Sequence, residues 1–236
     1  MSKDMELSPR LRLVADLVPK GARLADVGTD HAYLPAALIL EGAIPSAIAA
    51  DLRQGPLSRA RATVREYGLA GRVAFRLCDG LSGIRPEEVD AVVIAGMGGE
   101  TISAILAAAP WTRERDIPLA LQPMSSMPEL RAWLGENGYR ILAEPLVREG
   151  DTVYTALSVQ AGEMEPMTPA ELWAGKNSAQ PLRGVWLDRW LEKTGRALEG
   201  LAQARQGEDV AARRTLLEQV RAGLLGMKKE WESWQQ

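Results

Sequence analysis

Cysteine is nearly absent. Cys78 stands alone, so no disulfide can form within the chain. A reducing, cytoplasmic compartment fits that usage. Histidine is equally scarce: His31 is the only one, and it lies far in sequence from Cys78. Such a pair makes no metal-ligand cluster, so no metal is expected. No run of about eighteen apolar residues occurs, which argues against a membrane span. Met1 to Glu6 are mostly polar and lack the apolar stretch of a secretion signal. The net charge is small, -3. That excludes coating of nucleic acid by bulk charge but leaves room for a local basic face. Lys3, Arg10, Arg12, Lys20 and Arg23 crowd the start among Asp4, Glu6 and Asp16. An ordinary solvated helix face accounts for them, with Arg10 kept as a candidate substrate contact.

What is present is a 236-residue chain, 46% hydrophobic, ample for one full domain and an appendage. Leu7, Leu11, Val14 and Val18 recur at helical spacing and predict a helix over 7–18. Short apolar runs at 23–27, 46–50, 73–77, 91–95 and 117–121 read as buried strands. Between them 34–41, 54–67, 101–109 and 128–137 read as helices, several closed by glycine. Alternation of this kind implies an α/β fold, a mostly parallel sheet with helices on both faces. Residues 139–147 and 152–159, joined by Arg148-Glu149-Gly150-Asp151, read as an antiparallel hairpin that closes the sheet. Such an ending is typical of class I methyltransferases, whose sheet is Rossmann-like, and absent from the simplest dinucleotide-binding folds. The expected domains are therefore 1–160, a linker at 161–169, and 170–236.

The last segment is purely helical. Leu187, Leu191, Thr194, Leu198 and Leu201 form one coiled-coil seam. Leu217, Val220, Leu224, Met227, Trp231 and Trp234 form another, and Gln206-Gly207-Glu208-Asp209 separates them. Two helices with a short connection should lie antiparallel as a coiled-coil hairpin. Trp173, Trp186, Trp190, Trp231 and Trp234 belong to this third of the chain. Exposed, they would stack on bases; in the plainer reading they fill the hairpin core or dock it on the sheet domain. Arg205, Arg213, Arg214, Arg221, Lys228 and Lys229 are interspersed with acids. A phosphate-binding face and a solvated face explain them equally.

Ligands of doubly wound sheets bind outside the carboxyl ends of the strands. Here those ends carry Asp26-Val27-Gly28-Thr29-Asp30-His31, Asp51 with Leu52, and Cys78-Asp79-Gly80. Gly28 allows a tight turn beside a ligand. The second and third glycines of a dinucleotide fingerprint are missing. Asp30 in their place would repel a pyrophosphate, yet could hold the amino group of a cationic amino acid such as S-adenosylmethionine. Asp51 could accept both ribose hydroxyls, and Asp79 the adenine amino group. Carboxylates at three successive strand ends point to a nucleoside-containing cofactor. Gly96-Met97-Gly98-Gly99 follows the fourth strand, where its glycines would let a flat base approach the backbone. Gln122-Pro123-Met124 follows the fifth, and an amide there could read a Watson–Crick edge. No N-P-P-Y sequence occurs, which leans against an adenine N6 target. Asp30 and Gln122 are the catalytic candidates, since a carboxylate would favour a cationic product. His31 reads as a structural group or cofactor contact, with catalysis the lesser alternative.

The run LSPRLRLVADLVPKGARLADVGTDHAYLP resembles the opening of the bacterial tRNA (adenine(22)-N1)-methyltransferase family. So do VVIAGMGGETI, LALQP and LRAWLGENGYRILAEPLVREGDTVYTAL. The resemblance implies methyl transfer from S-adenosylmethionine, leaving S-adenosylhomocysteine, to N1 of an adenosine in the D-loop region of tRNA. It implies Gly28, Asp30, His31, Asp51, Asp79 and Gly80 as cofactor positions, and Gly96 to Gly99 as the reaction-side loop. Gln122 and Pro123 match the family's Q-P-N, whose third letter is Met124 here. The rivals are a small-molecule methyltransferase with an oligomerising arm, a nicotinamide oxidoreductase, and a non-catalytic tRNA-binding module. Oligomeric state stays open, with a monomer favoured.

Overall fold

The computed structural model describes residues 5–203 and 207–235. Lys3, Asp4, Arg205 and Gln206 lie outside the described residues. The first helix, α1, is Pro9–Ala15, shorter than the apolar periodicity predicts. Ser8 caps its start and proline occupies the first turn, while Leu17 and Val18 continue as turn-like backbone. Strand and helix then alternate: β1 (Leu24–Val27), α2 (Tyr33–Leu40), β2 (Ala47–Asp51), α3 (Gln54–Glu66), β3 (Val73–Leu77) and β4 (Ala91–Gly98). After α4 (Gly99–Ala107) and α5 (Trp111–Glu114) come β5 (Leu119–Ser125) and α6 (Met127–Glu136). β1 and β2 are buried along their whole length, because helices cover both faces of the sheet. α1 to α3 contribute to one apolar core and α4 and α6 to the other.

The expected single hairpin is divided. Its outer parts are β6 (Tyr139–Ala143) and β9 (Leu157–Ala161), which join the main sheet. Its inner parts, β7 (Leu146–Glu149) and β8 (Thr152–Thr155), form a separate two-stranded ribbon. The register slips between Ile141 and Ala143, and Pro145, which has no N–H, interrupts the ladder two residues later. The main sheet runs β3-β2-β1-β4-β5-β9-β6, antiparallel only at β9. Strand order reverses between β1 and β4, which sets the ligand site there.

β9 extends to Ala161, so the irregular connection is 162–168. α7 (Pro169–Ala174) then starts at a capping box, with Thr168 and Glu171 satisfying each other's backbone N–H groups. α8 (Arg183–Gln203) and α9 (Glu208–Trp234) pack on each other. Leu187, Thr194, Leu217, Val220 and Leu224 are buried along the seam, as the heptads predict, whereas Trp234 is exposed. Trp173, Trp186, Trp190 and Trp231 all join the apolar cluster at the base of the helix pair. The plainer reading of these four tryptophans holds. Val153 of β8 belongs to the same cluster and ties the ribbon to the helices. Among the described residues no helix is long and apolar enough to cross a membrane.

Candidate active site

A cavity of about 350 Å³ opens beside the carboxyl ends of β1 and β4. Arg10, Asp26, Gly28, Thr29, His31 and Gly96 are among its walls. Burial pushes the Asp26 carboxyl up to about 6 from an ordinary 3.8. The Thr29 hydroxyl is buried without a partner of ordinary hydrogen-bond geometry. It stands close enough to Asp26 to oppose part of that rise. A buried carboxylate beside an orphan hydroxyl is a cradle for a cation with N–H donors.

Gly28 has a φ of 76°, and a Cβ on it would lie 2.1 Å from Met97 Cε. The left-handed turn favours glycine, while the Met97 side chain could move aside for a Cβ. Ala32 caps α2 at a φ of 55°, a costly conformation for a residue with a Cβ. His31 stacks on Tyr33 at 4.9 Å between ring centroids.

Asp30 lies at the cavity rim, but its carboxylate is engaged by Arg59 of α3, with Nε at 3.0 Å, and by His31. The expectation that Asp30 holds a ligand amine shifts accordingly, because its charge is already compensated. Asp26 is the buried carboxylate of this wall. Asp51 is nearly buried at the end of β2, where its Oδ1 accepts the Arg53 N–H at 2.7 Å. Leu52 and Asp79 are exposed at the next strand ends. Neighbouring strands lie about 4.8 Å apart, so Asp26, Asp51 and Asp79 mark out roughly 10 Å of sheet edge. That row matches an amino acid joined to a nucleoside. Gly80, with a φ of 52°, packs against Ile105 of α4 and brings the Asp79 turn close to the sheet.

The loop predicted after 95 is largely strand. β4 continues through Met97 and Gly98, with register shifts against Pro123 and Ser125. Gly96 is exposed in the cavity wall. Gly99 is buried elsewhere: a Cβ would lie 2.3 Å from the Ser126 carbonyl oxygen. Its expected role against a substrate base gives way to close packing of α4 on α6. Gln122 is also turned inward and 0% exposed. Its Oε1 accepts from Arg10 Nη1 at 2.9 Å and from the Gly96 N–H at 3.2 Å. Its Nε2 donates to the Pro123 carbonyl at 3.1 Å and lies 3.4 Å from Met124 Sδ. An amide with both ends occupied cannot read a base edge; it orients Arg10 and the end of β4. Pro123 is buried beside it, and Met124 is half-exposed.

Arg10 lines the cavity and reaches from α1 to Gln122 at the end of β5. Its backbone N–H donates to Glu149 Oε2 at 2.8 Å, and its guanidinium lies 5.7 Å from the centre of the Tyr154 ring. The Arg10 N–H holds the Glu149 carboxyl below the usual carboxylate range, with Ser8 and the Arg10 charge adding to it. Glu149 and Tyr154 sit on the β7–β8 ribbon and escape sequence reasoning, since no local motif marks a contact spanning 139 positions. Arg59 escapes it as one arginine among several on α3. Thr29 carries a usable signal, being the polar residue directly after the Gly28 turn.

A family model described as a methyltransferase domain matches residues 7–157. The tRNA (adenine(22)-N(1))-methyltransferase of Bacillus subtilis (strain 168) is 33% identical over 232 residues, 92% of this chain and 98% of that protein. The crystal structure of the B. subtilis m1A22 tRNA methyltransferase matches with a TM-score of 0.81 at 33% identity, over 92% of this chain and 100% of that one. An M. capricolum structure in complex with the cofactor product S-adenosylhomocysteine matches with a TM-score of 0.75 at 26% identity. It covers 90% of this chain and 96% of that one.

Proposed function

The chain belongs to the tRNA (adenine(22)-N1)-methyltransferase family, and from that premise we propose that it methylates N1 of an adenosine in tRNA, at position 22 in the D-loop region. The observation that carries this reading is one continuous cavity. It runs from the buried Asp26 and Thr29 to Arg10 and Gly96 beside the inward-facing Gln122. When bound, S-adenosylmethionine supplies an activated methyl carbon on a sulfonium.

The residues divide the remaining work. Asp26 holds the amino group, assisted by the Thr29 hydroxyl. Asp51 accepts from the ribose hydroxyls, and Asp79 from the adenine amino group. Gly28 and Gly96 to Gly98 keep the backbone close and exclude water, with Met97 as an adjustable cover. Adenine N1 attacks through an in-plane lone pair and loses no proton beforehand, so no general base is required. The demand on the protein is alignment. Gln122 sets the position of Arg10, and Arg10 with Tyr154 frames the entering base, which must leave its stack. Glu149 offsets the Arg10 charge near a product that is itself cationic. Met124 offers an apolar surface where the family carries asparagine. A cytoplasmic, metal-independent monomer completes the proposal.

Replacing Arg10 with alanine is expected to lower kcat/KM for tRNA by about 10- to 100-fold, equivalent to about 1.4–2.7 kcal/mol. Cofactor affinity should stay within about threefold. Steady-state kinetics with both substrates varied separates the two, and an equal loss on the cofactor side would move Arg10 to the other half of the site. The reaction itself is tested by transferring labelled methyl from S-adenosylmethionine to unmodified bacterial tRNA and digesting to nucleosides. Label in 1-methyladenosine is the expected result, and a transcript with guanosine in place of adenosine 22 should take up none. No label in any tRNA, with the cofactor bound, overturns the proposal in favour of a small-molecule substrate.

A further inference from the structure

A second cleft, of about 570 Å³, lies between the end of β5, the β7–β8 ribbon and the helix pair. Met124 and Ser125 form one wall, and Tyr154 stands between them and the helices. Arg189 and Lys193 of α8 and Arg213 of α9 line the opposite wall. Glu129 is the carboxylate at its edge.

These three cations differ from several arginines elsewhere in the protein. Arg131, Arg59, Arg12 and Arg23 are each paired with a carboxylate. Among the described residues, Arg189, Lys193 and Arg213 have no carboxylate partner. Lys193 Nζ sits 4.7 Å above the Trp190 ring, and Arg189 lies 6.0 Å from the Trp186 ring while donating to the Val153 carbonyl at 2.9 Å. Ring faces and a carbonyl therefore hold two of the cations in place without neutralising them. The wall also contains Trp190, whose ring is buried in the apolar cluster and gives Lys193 a fixed face to sit on. Uncompensated positive charge from two helices gathered in one cleft suits a ligand rich in anionic oxygen.

We infer that this cleft holds the sugar–phosphate backbone of the substrate RNA next to the target nucleotide, with Lys193 and Arg213 on phosphates and Tyr154 at the turn toward the cavity. The occupant is RNA rather than a free anion because the cations are spread over two antiparallel helices and lead to Met124 and Tyr154 at the reaction end. The inference rests on the proposed tRNA substrate and adds which surface grips it.

The test uses the full chain with Lys193→Gln and Arg213→Gln combined. Both side chains are exposed, so the substitutions leave the fold intact. The control pair is Arg65→Gln with Arg115→Gln, at the amino-terminal end of the strands. With an unmodified tRNA transcript carrying adenosine 22, the Lys193/Arg213 variant should bind at least tenfold more weakly. Its log–log salt slope should fall by about two units, one for each phosphate that the variant leaves unneutralised. KM for tRNA should rise with kcat within about twofold, and cofactor affinity should not change. The control pair should match the parent. Unchanged tRNA affinity and slope in a variant that still methylates overturns the inference and leaves the proposed function standing. Absence of tRNA binding and methylation in the unaltered protein overturns both. Tight binding of an acidic peptide that depends on Lys193 and Arg213, with tRNA affinity independent of them, reassigns the cleft to a protein partner.

Discussion

Asparagine in place of Asp26 is expected to make the cofactor-free protein more stable and a worse enzyme. The folded carboxyl titrates near 6 against an ordinary 3.8, because burial disfavours its charge. The folded state therefore binds this proton more tightly than the unfolded chain does. The resulting cost is absent below about pH 3.8, grows between 3.8 and 6, and is fully present above 6. At about 1.4 kcal/mol per pKa unit it reaches ~3 kcal/mol, an upper value because a buried asparagine carries its own desolvation cost. Urea denaturation at pH 8 should show Asp26→Asn to be ~1–3 kcal/mol more stable than the parent. The difference should vanish toward pH 4. Affinity for S-adenosylmethionine should fall by ~30- to 100-fold, the loss of a charged hydrogen bond worth ~2–3 kcal/mol. For the parent, that affinity should weaken as pH drops below 6, where binding must first displace a proton. A variant with parental stability at pH 8 and parental cofactor affinity would remove Asp26 from the site.

Arg131→Ala should produce the largest loss of stability. Arg131 is 1% exposed and joins three segments. Its Nε donates to Glu144 at 2.7 Å, and its Nη1 donates to the Leu172 and Trp173 carbonyls at 2.7 and 3.0 Å. Truncation leaves a largely buried carboxylate with only the Lys176 N–H, at 3.2 Å, and takes this donor from two carbonyls. Breaking a buried pair from one side costs ~3–5 kcal/mol. For a chain of this size the thermal midpoint should drop by on the order of 10 °C. Because α7 is what Arg131 holds, the helix pair should become more susceptible to proteolysis than the sheet. Limited proteolysis and calorimetry would show this. Equal proteolysis of both parts, or a drop below about 1 kcal/mol, would mean that apolar packing alone holds α7 to α6.

The fold is legible wherever local periodicity and burial coincide. Leu24–Val27 and Ala47–Asp51 are continuous apolar runs because both faces of those strands are covered, and such runs announce central strands. The seams of α8 and α9 are legible because each helix buries one stripe against the other. The row of carboxylates proposed for the cofactor follows from topology: in this architecture ligands bind outside the carboxyl ends of the parallel strands. Asp26, Gly28, Asp51 and Asp79 can therefore be chosen by position alone. The division of the hairpin is missed because Tyr139–Val147 and Thr152–Val159 are strand-like apart from Pro145, and one proline does not show that the two halves pair in separate sheets. Only the slip at Ile141–Ala143 and the break at Pro145 divide them.

Sequence by itself determined the alternation of strands and helices, the glycine turn after β1, the carboxylates at three strand ends and the two helical seams. Each depends on neighbours in sequence or on a fixed period. Tertiary structure decided which groups are free to act. Asp30 is engaged by Arg59, 29 positions away, and Gln122 by Arg10, 112 positions away. Gly99 is claimed by the backbone of Ser126, and Trp190 by the base of the helix pair. Whether a side chain is available or already committed depends on partners that only folding brings within hydrogen-bond distance. Desolvation, which sets the proton affinity of Asp26, likewise exists only once the chain around it has packed.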